Sequence, residues 1–218
     1  MLYLVLAVIT STSIIITFRL LRNFRVSVVQ AITVNYLVAS TFGFLSEAGS
    51  FDLHTIYQAD WFFLSILMGL SLIIGFNLFA LSAQKAGVAV TAISSRMSVV
   101  IPVSLGFIIF GDTADVFKIA GIFTGLLAFY FTSKKDKTIH VNREYIFLPV
   151  LLFLAIGAND SLMKVAEHFY IDADFVSFLA TSFTFALVFG IIVFLFKNNT
   201  KKQSVKLKNI LAGIVLGL

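Results

Sequence analysis

The chain has 218 residues, 59% hydrophobic and only 12% charged, with a formal net charge of +5 and no cysteine; its mean hydropathy is +1.00. A soluble domain carries about a quarter charged residues, so this apolar excess excludes a soluble globular fold and points to a polytopic membrane protein. The missing cysteines exclude disulfides, thiolate metal sites and cysteine nucleophiles, and the basic residues, confined to gaps between apolar runs, signal topology rather than nucleic-acid binding.

The first apolar run, residues 1–18, has no basic residue ahead of it and no small-residue cleavage site before Arg19, Arg22 and Arg25. It reads as a retained membrane span and not as a signal peptide. Further runs follow at 27–46, 61–81, 88–110, 116–133, 145–163 and 175–196. Each approaches the ~20 residues with which a helix crosses ~30 Å of hydrocarbon. None has the alternation of a barrel strand, so the expected class is an all-α helix bundle. An eighth run opens at Asn209 and reaches only Leu218, about half a crossing, which suggests a C-terminally truncated chain of about seven and a half helices.

Charges between the spans predict orientation. Arg19, Arg22 and Arg25 follow span one, Lys85 follows span three, and Lys134, Lys135, Lys137 and Arg143 follow span five. Lys197, Lys201, Lys202, Lys206 and Lys208 follow span seven. The other loops carry Glu47, Asp52 and Asp60, then Asp112 and Asp115, then Glu167, Asp172 and Asp174. The positive-inside rule makes the basic face cytoplasmic and the N-terminus external. Trp61, Tyr57, Tyr130, Tyr145 and Tyr170 lie near span ends, where interfacial anchors are expected.

A shift of 148 positions brings Ala7 onto Ala155, Ser13 onto Ser161 and Thr33 onto Thr181, and Met68-Gly69-Leu70 onto Leu216-Gly217-Leu218. These identities are sparse, and the matching order and length of the spans is the better signal. Span six then repeats span one, seven repeats two and eight repeats three. A five-helix repeat inserts its second copy upside down, and the loops agree: the one after span two is acidic, the one after span seven basic. The expected organisation is an inverted five-plus-five repeat, with a first copy over 1–138 and an incomplete second over 144–218. Such repeats are a hallmark of transporters that alternate access around one site.

The segment ALSAQKAGVAVTAISSRMSVVIPVSLGFIIFGDTADVFKIAGIFTGLLAFYFTSKK resembles the third-to-fifth helix region of the EamA-like branch of the drug/metabolite transporter superfamily. It has the short turn after helix three, the small-residue-rich helix four, the Gly-acidic turn at Gly111-Asp112 and a Gly-containing helix five. QAITVNYLVA and GANDSLMKVAE are similar to a bacterial subgroup related to rhamnose-transporter-like members. Pro102 lies nearer the Gly-acidic turn than the helix-four proline of many members, and the C-terminal helices of the family are absent. The resemblance implies a permease of the bacterial inner (cytoplasmic) membrane, with helices three and four lining a central cavity.

Polar residues inside the spans are the candidate pathway. A mid-membrane charge costs about 2.5–3.5 kcal/mol on the insertion scale, so it needs a partner or a wet cavity. Arg96, with Ser95 beside it, falls close to the midplane in span four; Asp160 is the internal partner it suggests. In span six, Asn159, Asp160 and Lys164 come in together, and the four-residue spacing lets Asp160 pair with Lys164. The structural alternative is a pair near the outer interface with Lys164 snorkelling. Asn35, Tyr36 and Asn77 are further pathway candidates, although lone amides and hydroxyls more often join helices. Gln30 reads as a capping residue, and Pro102 is expected to kink span four and free a carbonyl at Ser98. Gly121-x-x-x-Gly125, repeated in type at Gly213 and Gly217, is expected to pack within the molecule. His54, His140 and His168 fall at loop or interface positions without metal-ligand spacing.

The function expected is therefore a secondary transporter for a small metabolite or drug-like solute, not an enzyme. No nucleotide-binding motif is present, so energy has to come from a gradient or exchange, through a coupling proton or counter-substrate. No cofactor, metal or nucleic-acid partner is expected beyond the lipid bilayer and the small-molecule substrate, and homo-oligomer formation stays open. An integral membrane enzyme on lipid-linked substrates, or a non-transporting scaffold, is the alternative.

Overall fold

Continuous apolar runs in lipid must satisfy their backbone groups internally, which leaves the helix as the available conformation. The computed structural model describes residues 2–24, 26–46, 53–109, 111, 115–135, 145, 147–171, 174–201 and 206–217. Among them are ten helices and no strand: α1 (Leu2–Asn23), α2 (Val28–Ser46), α3 (Leu53–Gln58), α4 (Phe62–Lys85), α5 (Val88–Met97), α6 (Val100–Ile109), α7 (Val116–Lys135), α8 (Phe147–Phe169), α9 (Phe175–Lys201) and α10 (Leu207–Gly217). Five stretches are long and apolar enough to cross a membrane: Val28–Ser46, Phe62–Lys85, Val88–Ile109, Phe147–Phe169 and Phe175–Phe196. The chain is a multi-pass membrane protein built as a helical bundle. The predicted first and fifth spans form α1 and α7, whose apolar stretches are shorter. Glu47, Asp52, Asp112, Asp172, Arg25, Lys137, His140, Arg143, Lys202 and the 138/144 boundary lie outside the described residues.

Several hydroxyls inside these helices are satisfied locally. Thr33, Thr41 and Thr184 donate to the carbonyls of Val29, Leu37 and Ala180, four residues back, at 2.7–2.9 Å. The α4–α5 turn is two residues long and ends on Gly87, whose φ of 108° lies where a side chain would strain the backbone. Across it Ser82 and Thr91 share a buried hydroxyl–hydroxyl bond of 2.7 Å. Span four is two helices, α5 and α6, joined at Ser98–Val99. Pro102 cannot donate to the Ser98 carbonyl, and the Ile101 N–H takes that acceptor instead at 2.9 Å.

The chain divides into two compact units, and the division falls inside α1, α4 and α8. The first comprises residues 1–20 and 78–161. In it α8 lies against α6 where Gly157 meets Ile101, with no room for a side chain, and Gly125 of α7 faces Met97. Gly121 faces open space, so the two glycines of α7 do not form the tight seam expected of them.

The second unit comprises residues 21–77 and 162–218. Here α2 is the central helix. Gly43 touches Ala180 and Gly190 touches Thr33, so α2 and α9 run antiparallel. Gly213 sits on Ala31 and Val34, and Gly217 on Asn35 and Val38, so α2 and α10 run parallel. Gly69 of α4 is pressed onto Ser182, Phe185 and Ala186 of α9. A Cβ at Gly213 would lie 2.5 Å from Val34 Cβ, and one at Gly69 2.8 Å from the Ala186 nitrogen. Glycine is required because backbones touch.

At one end of this unit Ile56, Trp61, Met68, Ala166, Ile171 and Phe178 form a core. Trp61 meets Phe178 edge-on at 5.9 Å and is 3% exposed. This corrects its reading as an interfacial anchor: the indole is buried in a core it shares with Ile56 of α3 and Phe178 of α9. Tyr57, Tyr130 and Tyr170 are exposed as anchors should be, while Tyr145 is half-buried beneath the Lys85 ammonium. Trp61→Ala is expected to destabilise the protein by about 3–5 kcal/mol, readable as a lowered thermal midpoint in detergent.

Candidate functional site

Within the first unit, Ser95 and Arg96 occupy the last turn of α5. Ser95 is half-buried and its hydroxyl donates to the Ala92 carbonyl at 3.0 Å. Ser94 is fully buried, and its hydroxyl has no partner among the described residues. Arg96 is exposed. Its cation stands at the C-terminal end of a helix, where the macrodipole favours positive charge. That placement follows from the break after Met97, a compensation the sequence pattern alone does not reveal.

Asn159 and Asp160 are half-buried on α8, with the Asn159 Oδ1 buried and unpaired. Ser161 next to them turns its hydroxyl to the Gly157 carbonyl at 2.6 Å. The expected Arg96–Asp160 pair is disfavoured by geometry. The Lys85 ammonium lies 4.3 Å from the centre of the Tyr145 ring, and further along Ile101 meets Gly157. Those two contacts come in the same order on both strands of chain, so α5–α6 and this part of α8 run parallel. Arg96 stands five residues before Ile101 and Asp160 three beyond Gly157, which separates them by about 12 Å along the axis. A helical arginine also leans toward the N-terminus of its own helix, away from Asp160. Asp160 and Lys164 share one face of α8, and Lys164 is half-buried.

Within the second unit, Asn35 and Tyr36 are buried on α2 and Asn77 is half-buried near the middle of α4. Asn77 donates to the Ile73 carbonyl at 2.8 Å, a local bond that accounts for part of its polarity. The Tyr36 ring lies between Phe76, 5.6 Å away and edge-on, and Phe183, stacked at 6.1 Å. Its hydroxyl is unpaired, as are those of Thr181 and Ser182 on α9. Most helical serines and threonines here bond back to their own helix; these adjacent two do not. An unsatisfied buried hydroxyl costs about 1–3 kcal/mol, so three in one unit call for a reason. Thr181 and Ser182 were not singled out from sequence, where nothing separates them from the bonded hydroxyls around them.

Among the described residues no group of three or more His, Asp or Glu could hold a metal ion. His54 faces Gln58 at 3.4 Å, and His168 packs edge-on against Phe169.

No protein-family model matches the chain, and no solved structure does. A Haemophilus influenzae protein described as "Uncharacterized protein" is 24% identical to it over 222 residues, spanning 99% of this chain and 74% of that protein. The likeness therefore runs through nearly the whole series of helices and carries no activity with it.

Proposed function

We propose that this protein is a secondary transporter of the EamA-like drug/metabolite type, moving a small solute across a bacterial cytoplasmic membrane by alternating access, with its N-terminus outside. The observation that carries the reading is a pair of matched seams in the second unit. Gly69 of α4 presses on Ser182, Phe185 and Ala186 of α9, while Gly217 of α10 presses on Asn35 and Val38 of α2. Gly217 stands 148 positions after Gly69, and Ala186 stands 148 after Val38. The helices carrying these pairs are themselves coupled by the antiparallel packing of α2 on α9. An upside-down duplication, with copies over 1–138 and 144–218, gives this pattern without further assumptions, and such duplications underlie alternating access.

Polar groups within the spans are what this reading calls on. In the first unit Arg96 and Asp160 offer charge and Ser95 and Asn159 offer hydrogen bonds; in the second Lys164 offers charge and Asn35, Tyr36, Asn77, Thr181 and Ser182 offer hydrogen bonds. Unpaired hydroxyls and a costly arginine are what a pathway needs when solute or water occupies it part of the time. Because the chain has no cysteine, a single Cys replacing Arg96 gives a background-free probe. A membrane-impermeant charged thiol reagent should label it in membranes, and an added substrate should slow that labelling. Labelling in no condition removes Arg96 from the path. The substrate itself is to be found by a metabolite-wide uptake and efflux screen in cells expressing the protein.

A further inference from the structure

The starts of α2 and α10 lie side by side. Asn209, in the first turn of α10, accepts the Ser27 backbone N–H at 3.3 Å through Oδ1. Ser27 immediately precedes α2, so Asn209 performs from the neighbouring helix the task that a capping box assigns to the third residue of the same helix. That residue is Gln30, which completes the Ser-x-x-Gln pattern but is engaged otherwise: its Oε1 accepts from Asn209 Nδ2.

The direction of this chain of bonds is fixed. A backbone N–H can only donate, so Oδ1 of Asn209 must face Ser27 and Nδ2 must face Gln30. Gln30 then has to present Oε1 to Asn209, and its Nε2 is left as the free end, a donor. Gln30 is 6% exposed, and Nε2 has no partner among the described residues. A buried donor between two helix N-termini, where backbone dipoles already favour negative charge, demands an acceptor.

Among the described residues Lys208 supplies a cation there. Lys208 reaches across to the Phe24 carbonyl at 2.8 Å, which holds its ammonium over the turn leading into α2. In sequence, residues 21–30 include Arg22 and Arg25, residues 197–209 include five lysines, and neither stretch has an aspartate or glutamate. From these observations we infer an anion site at the paired starts of α2 and α10, built by Gln30, Asn209 and Lys208, for a phosphate oxyanion. A lipid phosphate headgroup and free phosphate share this chemistry. Because Nε2 is covered, a bound anion has to displace neighbouring side chains and should exchange slowly.

The test compares thermal midpoints of the delipidated full chain in phosphatidylcholine nanodiscs, in phosphatidylglycerol nanodiscs, and in phosphatidylcholine nanodiscs with millimolar inorganic phosphate. Occupancy well above the dissociation constant should raise the midpoint by about 5 °C. Gln30→Glu keeps the acceptor for Asn209 but replaces the free donor with a carboxylate. It should abolish the shift and raise the ligand-free midpoint, because the new carboxylate takes the anion's place. A shift with phosphatidylglycerol alone that Gln30→Glu abolishes establishes a lipid site; one with inorganic phosphate that Gln30→Glu abolishes establishes a soluble anion. If Gln30→Glu does not fold, Lys208→Gln, at an exposed position, should at least halve the shift. No shift in the wild type, or an equal shift in whichever variant is measured, overturns the site.

Discussion

Gly69→Val is expected to leave little folded protein, and Gly217→Val to do nearly the same. A Cβ at Gly69 would stand 2.6 Å from Phe185 Cβ and 2.8 Å from both the Ala186 nitrogen and the Ser182 oxygen. Two of these three obstacles are backbone, so no rotamer change relieves them, and α4 must move off α9. Overpacking costs about 1–3 kcal/mol where side chains can yield, and a backbone clash lies at or beyond the upper end of that range. At Gly217 the obstacles are Val38 Cβ at 2.8 Å and the Asn35 oxygen at 3.0 Å, a slightly looser seam and a slightly smaller loss. Gly121→Val is the control, because that glycine meets nothing within 4 Å. The measurement is the monodisperse fraction and thermal midpoint after detergent extraction. Wild-type behaviour in Gly69→Val would mean that α4 and α9 do not touch there.

The same glycines mark how far the sequence could be read. Runs of apolar residues locate the helices well, because in lipid each run has only one way to satisfy its backbone. A Gly-x-x-x-Gly spacing says that close approach is allowed, but not whether a partner arrives. Gly213 and Gly217 meet α2, whereas Gly121 does not meet a neighbour. Pro102 announced the break in span four, since a missing donor has local consequences. Trp61 misled: its position at a span end fits an anchor, and only residues distant in sequence, such as Ala166 and Phe178, put the indole in a core. Gln30 and Asn209 were legible as helix-start residues, yet their bond joins positions 179 apart, a distance that no local pattern reports.

Arg96→Ala is expected to lower transport by about 100-fold or more, in line with the ~2–5 kcal/mol lost when one partner of a desolvated charge contact is truncated. Arg96 is the ninth residue of a 22-residue apolar stretch, about 12 Å from its start. Membrane insertion and the thermal midpoint should be little changed, since the side chain is exposed and not packed in a core. Arg96→Lys should recover only part of the rate, because a lysine keeps the charge but loses the planar fork. The charge-exchanged double variant, Arg96→Asp with Asp160→Arg, discriminates further. With about 12 Å of axial offset between the two positions, exchange should restore nothing, since neither charge serves as the other's partner. Rescue by the exchange would establish a direct pair and require α5 and α8 to slide past each other by about two turns during the transport cycle. An unchanged rate in Arg96→Ala would leave the arginine as a topological signal at the end of α5, where the helix dipole favours its charge.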